Sequence, residues 1–179
     1  MHLILPSMKY KDSYLDALEE YLQLDADDRL DVLVLNPKSL EKDFQTYITQ
    51  LHEESEGKHL PQGYVPQTTY WLVDGDEFIG RVSIRHTLTP ELLRIGGHIG
   101  YDIRPSERGR GYGTKILELV LPKAKELGIP KALVTCNDTN LGSKKIIEAN
   151  GGVFENSESQ GNGLPRKLRY WITLKLQSI

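Results

Sequence analysis

The stretch Arg104-Pro105-Ser106-Glu107-Arg108-Gly109-Arg110-Gly111-Tyr112-Gly113-Thr114-Lys115 sets four cations and three glycines against a single carboxylate. An alternating apolar strand runs into it and a helical pattern leaves it. The first N–H groups of a helix have no partner inside the helix and lie at its positive end. Without Cβ atoms, Gly109, Gly111 and Gly113 let an anion approach that backbone closely. The expected chemistry is the holding of a phosphate or pyrophosphate. Two better-known phosphate motifs do not fit. A P-loop needs Lys directly after its last glycine, whereas Thr114 follows Gly113. The fingerprint G-x-G-x-x-G, counted from Gly109, needs glycine where Thr114 stands.

The elements that position this turn can be read from periodicity. Tyr10, Tyr14, Ala17, Leu18, Tyr21 and Leu22 fall at helical spacing over residues 7–24, with Ser7 as N-cap. Phe44, Tyr47, Ile48 and Leu51 form one stripe of a second helix over 39–52, capped by Ser39. The acidic stretch Asp25-Ala26-Asp27-Asp28 between them reads as a solvated connection. Thr69–Val73 and Phe78–His86 read as strands joined across Asp74–Glu77 in a hairpin turn. After a loop holding Pro90, Ile99, Tyr101 and Ile103 alternate in a strand over Gly97–Arg104 that Pro105 closes. The helix leaving the glycine turn ends at Gly128, and Pro122 inside it should kink it or free one carbonyl. Ala132–Cys136 reads as a buried strand, Asn140–Asn150 as a short helix, and 156–166 as a mobile polar loop. Leu168, Tyr170, Ile172, Leu174 and Leu176 mark one face of a last strand. With no internal repeat and no long linker, the order predicts one mixed α/β domain.

Composition narrows the function. The chain has 179 residues, 39% hydrophobic and 26% charged, with a formal net charge of −3. That balance supports a core and gives no electrostatic footprint for a general nucleic-acid binder. Cys136 is the single cysteine, which excludes an internal disulfide and a multi-cysteine zinc site and suits a reducing cytoplasm. No apolar run approaches the ~18 residues of a membrane span, so no membrane role is expected.

Arg108-x-x-Gly111-x-Gly113 at a strand-to-helix junction resembles the acyl-CoA-binding signature of the GNAT superfamily of N-acyltransferases. Ile99-Gly100-Tyr101-Asp102-Ile103-Arg104-Pro105 resembles that family's pantetheine-pairing strand. Asn140-Leu141-Gly142-Ser143, followed by Gly151-Gly152, is similar to its second conserved block. The run Gly97-His98-Ile99-Gly100-Tyr101 is similar to a bacterial subgroup of predicted acetyltransferases. The resemblance implies a GNAT-like α/β fold, a mixed central sheet flanked by helices, as a single domain over 1–179. Its acyl-CoA-binding core would span about 68–176.

It further implies acetyl-CoA as co-substrate, no metal, and a primary amine of a small molecule or peptide as acceptor. A homodimer is left open. Backbone N–H groups of Arg108, Gly109, Arg110, Gly111, Tyr112 and Gly113 would hold the pyrophosphate. Tyr101 and Ile103 would pair with the pantetheine arm, and Asn140 and Ser143 would contact the cofactor, Asn140 also capping its helix. Direct attack of an amine on a thioester needs a base and a donor for the developing oxyanion. Main-chain N–H near Tyr101–Ile103 would supply the donor. His98 and Asp102, on one strand face by alternation, are the candidate bases, the imidazole being closer in ordinary pKa to neutral pH.

One departure stands out: where many family members carry a tyrosine thought to protonate the leaving thiolate, this chain has Ile147. Tyr112 or a water is the substitute, or no acid is needed. Glu53, Glu54 and Glu56 would favour a cationic acceptor or form a solvated run, and Tyr170 and Trp171 would line a pocket or pack the core. The competing readings are an acyltransferase of another acyl group or acceptor, and a non-catalytic acyl-CoA sensor.

Overall fold

The computed structural model describes residues 1–24 and 37–174. The acidic stretch from Asp25 and the strand position Leu176 lie outside the described residues. Among the elements described are β1 (His2–Ile4), α1 (Lys11–Leu22), α2 (Pro37–Lys42), α3 (Phe44–Ser55), β2 (Gln67–Asp74), β3 (Glu77–Arg85), β4 (Ile99–Ile103), α4 (Tyr112–Glu126), β5 (Lys131–Asn137), α5 (Leu141–Ala149), β6 (Val153–Glu158) and β7 (Lys167–Thr173). The seven strands form one mixed sheet in the order β1-β2-β3-β4-β5-β7-β6. Each pair is antiparallel except β4 with β5. This is the α/β architecture expected, a mixed sheet flanked by helices.

Alternation along the strands divides the core into two layers. Leu72, Val82, Ile84, Ile99, Ile103, Val134 and Tyr170 point to the face covered by α4 and α5 and meet Ile116, Leu117, Val120 and Ile147. Trp71, Val73 and Phe78 point to the other face, under Tyr14, Leu18, Phe44, Tyr47 and Ile48 of α1 and α3. Tyr14 stacks on Trp71 at 4.6 Å between centroids, and its hydroxyl meets that of Tyr47 at 2.7 Å. Such ring pairs are worth about 0.5–1.5 kcal/mol beyond the area they bury.

Local chemistry explains most boundaries. Ser7 accepts from the Lys9 N–H, but it opens a short 3₁₀ turn over Met8–Tyr10 that leads into α1. The helix expected over 39–52 is two helices that meet at Asp43. Gly75 and Asp76 form the tight turn between β2 and β3, with Gly75 at φ +57°. Gly80 is required where β3 meets β4, since a Cβ there would stand 2.5 Å from the Asp102 carbonyl oxygen. α4 runs through Pro122, which has no N–H for the Glu118 carbonyl. Two strands escaped the sequence. β1 spans three residues, too few to display a period, and β6 is exposed at its first four positions. Part of the expected loop over 156–166 is therefore β6, and Arg166 ties back to Ser157 across the rest. Among the described residues, no helix is long and apolar enough to cross a membrane.

Candidate active site

The site begins with a failure of strand pairing. β3 and β4 are in register from Gly80↔Ile103 to Ile84↔Ile99, while β4 and β5 register only at Ile99↔Val134. The Arg85 N–H bonds the His98 carbonyl, and the Arg104 N–H bonds that of Ile79. By the alternation of an antiparallel ladder, the main-chain groups of residues 100 and 102 also face β3. Those of Tyr101 and Ile103 face β5, beyond the one registered pair. A wedge thus opens between β4 and β5, its apex at Ile99 and its mouth at the glycine turn. The Ile103 carbonyl accepts from Arg108 Nε at 3.1 Å, and Tyr101 has no registered partner on β5.

The turn at the mouth is built on left-handed glycines. Gly109 has φ +77° and Gly111, the N-cap of α4, φ +83°. A Cβ built on either would meet nothing within 4 Å and would project into open space before the turn. Gly113 serves a different end: a Cβ there would strike Ile146, so its role is the close packing of α4 on α5. Each side-chain cation of the stretch is already paired. Arg104 bonds Glu20 at 2.6 Å and Glu77 at 3.2 Å, Arg108 bonds Asp102 at 3.3 Å, Arg110 bonds Glu107 at 2.6 Å and Lys115 bonds Glu118 at 3.0 Å. Arg110 also lies over the Tyr112 ring. The positive field left for a guest is that of the main-chain N–H groups and the α4 dipole.

α5 closes the α4 side of the wedge. Asn140 is its N-cap, Oδ1 accepting the Ser143 N–H at 2.8 Å. The Ser143 hydroxyl bonds the Tyr101 phenol at 2.9 Å, joining α5 to β4 across the wedge. Burial pushes that phenol up to about 12, so it stays protonated at neutral pH. Ile147 is fully buried in the core, and Tyr112 is held at the start of α4.

His98 and Asp102 share a face but not a location. Four residues of strand separate them by about 13 Å, too far for both to touch one amine nitrogen. His98 Nδ1 accepts the Leu133 N–H at 3.0 Å, while its own N–H bonds the Leu133 carbonyl at 2.7 Å. The imidazole is a knot that ties β4 to β5 at the apex. With Nδ1 accepting, the proton of the neutral ring is on Nε2, which then donates and offers no lone pair. Burial, and then Arg85, lower the His98 pKa. Burial raises that of Asp102 from its ordinary value, although the Tyr21 hydroxyl and Arg108 act the other way. Asp102 Oδ2 and the Tyr21 hydroxyl that faces it from α1 are both buried and have only each other to interact with.

β3 contributes residues that sequence reasoning gave no role. Arg81, Ser83 and Arg85 share the face of Asp102, Gly100 and His98, and Ser83 bonds Thr69 at 2.9 Å. Arg85 Nη1 binds the carbonyls of Gly96 and Gly97, which fixes the bend entering β4. The signal was present: after Glu77, three polar residues stand at alternate positions in the strand. Farther out, a cleft of about 580 Å³ lies between α3 and residues 58–67, lined by Glu53, Glu54, Tyr64 and Gln67 among others. Glu54 there is engaged by Gln50 and Gln67, and Glu56 by Lys58. Tyr170 is core, whereas Trp171 is half-buried on the opposite face, 6.4 Å from the His98 ring. No group of three His, Cys, Asp or Glu side chains that could hold a metal occurs among the described residues.

A strand wedge thus leads to a glycine turn at a helix N-terminus. The sequence profile of the acetyltransferase (GNAT) domain matches residues 12–153, and the chain belongs to that family. It is an N-acetyltransferase with acetyl-CoA as co-substrate. Solved structures similar in fold include the microcin C7 self-immunity acetyltransferase MccE in complex with acetyl-CoA and AMP, at TM-score 0.66 and 14% identity, covering 96% of this chain and 91% of that one. The Salmonella typhimurium acetyltransferase that modifies the N-terminal serine of ribosomal protein L7/L12 aligns at TM-score 0.63 and 18% identity, covering 97% and 94%. A spermidine N-acetyltransferase SpeG chimera from Vibrio cholerae and hSSAT aligns at TM-score 0.63 and 15% identity, covering 97% and 96%. No curated protein matches the sequence.

Proposed function

We propose that this protein transfers the acetyl group of acetyl-CoA to a primary amine of a small molecule or peptide by direct attack on the thioester. The observation that carries this reading is the wedge: β4 and β5 part after Ile99↔Val134, with Tyr101 lacking a registered partner on β5, His98 at one end and the glycine turn at the other. Acetyl-CoA supplies the activated acetyl group. In this reading the N–H groups from Gly109 to Gly113 take the pyrophosphate, with Gly109 and Gly111 leaving the approach clear; the Arg108 N–H, counted among them from the sequence, is spent on the Pro105 carbonyl at 3.2 Å. Tyr101 and the Ile103 N–H pair with the pantetheine arm, and Asn140 and Ser143 border it from α5. The Tyr101 N–H then points at the thioester oxygen as a donor.

The acceptor enters from the α1 and α3 face. Asp102 is the base on that face, because its carboxylate is buried there with only the Tyr21 hydroxyl at Oδ2 and Arg108 at Oδ1, and burial raises its pKa. His98 holds the apex and presents its Nε2–H to the same face. The similar proteins named above act on a protein N-terminus and on spermidine, so peptides and polyamines head the acceptors to try. The division into one domain with an acyl-CoA core at about 68–176, and a reducing cytoplasmic setting for the buried Cys136 thiol, belong to the same proposal.

A mass-detected panel of polyamines, amino acids and peptides with acetyl-CoA tests the acceptor. On the best acceptor, Asp102→Asn should lower kcat by about 10²–10⁴, the usual worth of a positioned base. A near-normal kcat returns that role to His98 or to water.

A further inference from the structure

α1 does more than bury an apolar stripe. Glu20, in its last turn, is a quarter exposed, and both of its carboxylate oxygens are spent on the segment that enters the glycine turn. Oε1 accepts from Arg104 Nε at 2.6 Å, and Oε2 accepts the Ser106 N–H at 2.9 Å. Arg104 is tied further, its Nη1 donating to Ser13 Oγ and Glu77 Oε2, both at 3.2 Å. The neighbouring residue Tyr21 offers its ring to the Arg108 guanidinium at 5.8 Å, while Arg108 also reaches back to Asp102 and the Ile103 carbonyl.

Residues 104, 106 and 108 are thus each held from outside the turn. Gly109 and Gly111, which follow, have no side chain by which to be held. Glycine has more backbone freedom to lose than any other residue, and a loop that must be ordered on binding gives up affinity. A brace at 104–108 removes part of that freedom before the guest arrives.

We propose that Glu20 is a positioning residue for acetyl-CoA: through the Ser106 N–H and Arg104 it sets the entry of the turn that receives the pyrophosphate. It does not touch the cofactor. The proposal rests on the assignment of that turn to the pyrophosphate. Simple electrostatics argues with the opposite sign. A carboxylate near a pyrophosphate repels it, so removing the charge and freeing Arg104 should tighten binding. Positioning requires that binding weaken.

The test compares two donors, acetyl-CoA and S-acetyl-pantetheine, which lacks the pyrophosphate. Glu20→Ala should raise KM for acetyl-CoA by about ten- to a hundredfold and leave kcat at saturation within about twofold. The ratio of kcat/KM between the two donors should shrink by the same factor as the rise in KM. Glu20→Gln keeps an acceptor for Ser106 but not the charge facing Arg104. It should raise KM less, and it covers the case in which the alanine variant does not fold. A lowered KM in Glu20→Gln would overturn the proposal in favour of repulsion. Equal losses on both donors would overturn it in favour of a role in the fold alone, and an unchanged KM in both variants would overturn it outright. Gly111→Val run beside them separates the two levels. If it too leaves acetyl-CoA affinity unchanged, the turn assignment has failed, and not merely the brace.

Discussion

Around the glycine turn each side-chain cation has a carboxylate partner, whereas the layer between α1, α3 and the sheet leaves buried polar atoms with few partners. Trp71 Nε1 is buried in that layer without a hydrogen-bond partner, and Tyr21 Oη and Asp102 Oδ2 have only each other. Buried polar groups are normally satisfied, and an exception calls for a water, an ion or a ligand. On the proposed assignment the difference separates two ways of recognising. The proposed cofactor half offers main-chain N–H groups at the turn, with side-chain charge there cancelled by the fold. The proposed acceptor half offers buried side chains with few partners. Substitutions that alter backbone conformation should therefore damage the first half most, and those that alter side-chain chemistry the second.

The largest effect is expected from Gly111→Val. Its φ of +83° lies where a β-branched side chain is strained, and its side chain would fill the open space before the turn. Acetyl-CoA affinity should fall by at least about a hundredfold in a folded variant, read by calorimetry. Unchanged affinity would remove the turn from the cofactor half and break the comparison.

The two halves also differ in how far the sequence revealed them. The turn, its flanking strand and its helix occupy one continuous stretch, so glycine spacing and charge were enough to place them. The wedge was not visible, because it depends on β4 and β5 parting after a single pair, and Ile99 and Val134 are 35 residues apart. The proposed acceptor layer is assembled from α1, α3, β2, β3 and β4. Glu20 meets Ser106 across 86 residues, a distance no local pattern spans. Asp102 was singled out for its strand face, but its burial beneath Tyr21 and Arg108 follows only from the packing of α1. His98 was singled out for its pKa, and its bond to the Leu133 N–H gives it a structural duty that alternation cannot show.

A middle-sized effect is expected at Ile147. This side chain is fully buried against α4, and a Cβ on Gly152 would already collide with it. Ile147→Tyr should therefore overpack the core and cost about 1–3 kcal/mol of stability in a denaturant titration. It should not raise kcat by as much as tenfold, or ~1.4 kcal/mol of barrier. A larger gain would show that proton donation to the thiolate had been limiting, and that the cofactor half depends on a side chain after all.

The smallest effect is expected at His98, which stands on the seam between the halves. Burial, with Arg85 adding to it, holds the imidazole below its ordinary pKa of ~6.5. Between the lowered native value and ~6.5 the unfolded chain binds more protons than the native one. Stability must then rise with pH through that window and level off above it. His98→Gln removes this contribution, so the slope of Tm against pH between 5 and 7 should flatten. His86, also lowered by burial, preserves part of it. Glutamine can still accept from the Leu133 N–H, so the knot at the apex survives and kcat should stay within about tenfold of the parent. Had the imidazole been the base, kcat would drop by about 10²–10⁴ and the acidic limb of kcat/KM would vanish. A flattened stability profile with a retained kinetic limb assigns His98 to the strand junction, and the reverse pattern moves it into the acceptor half as its base.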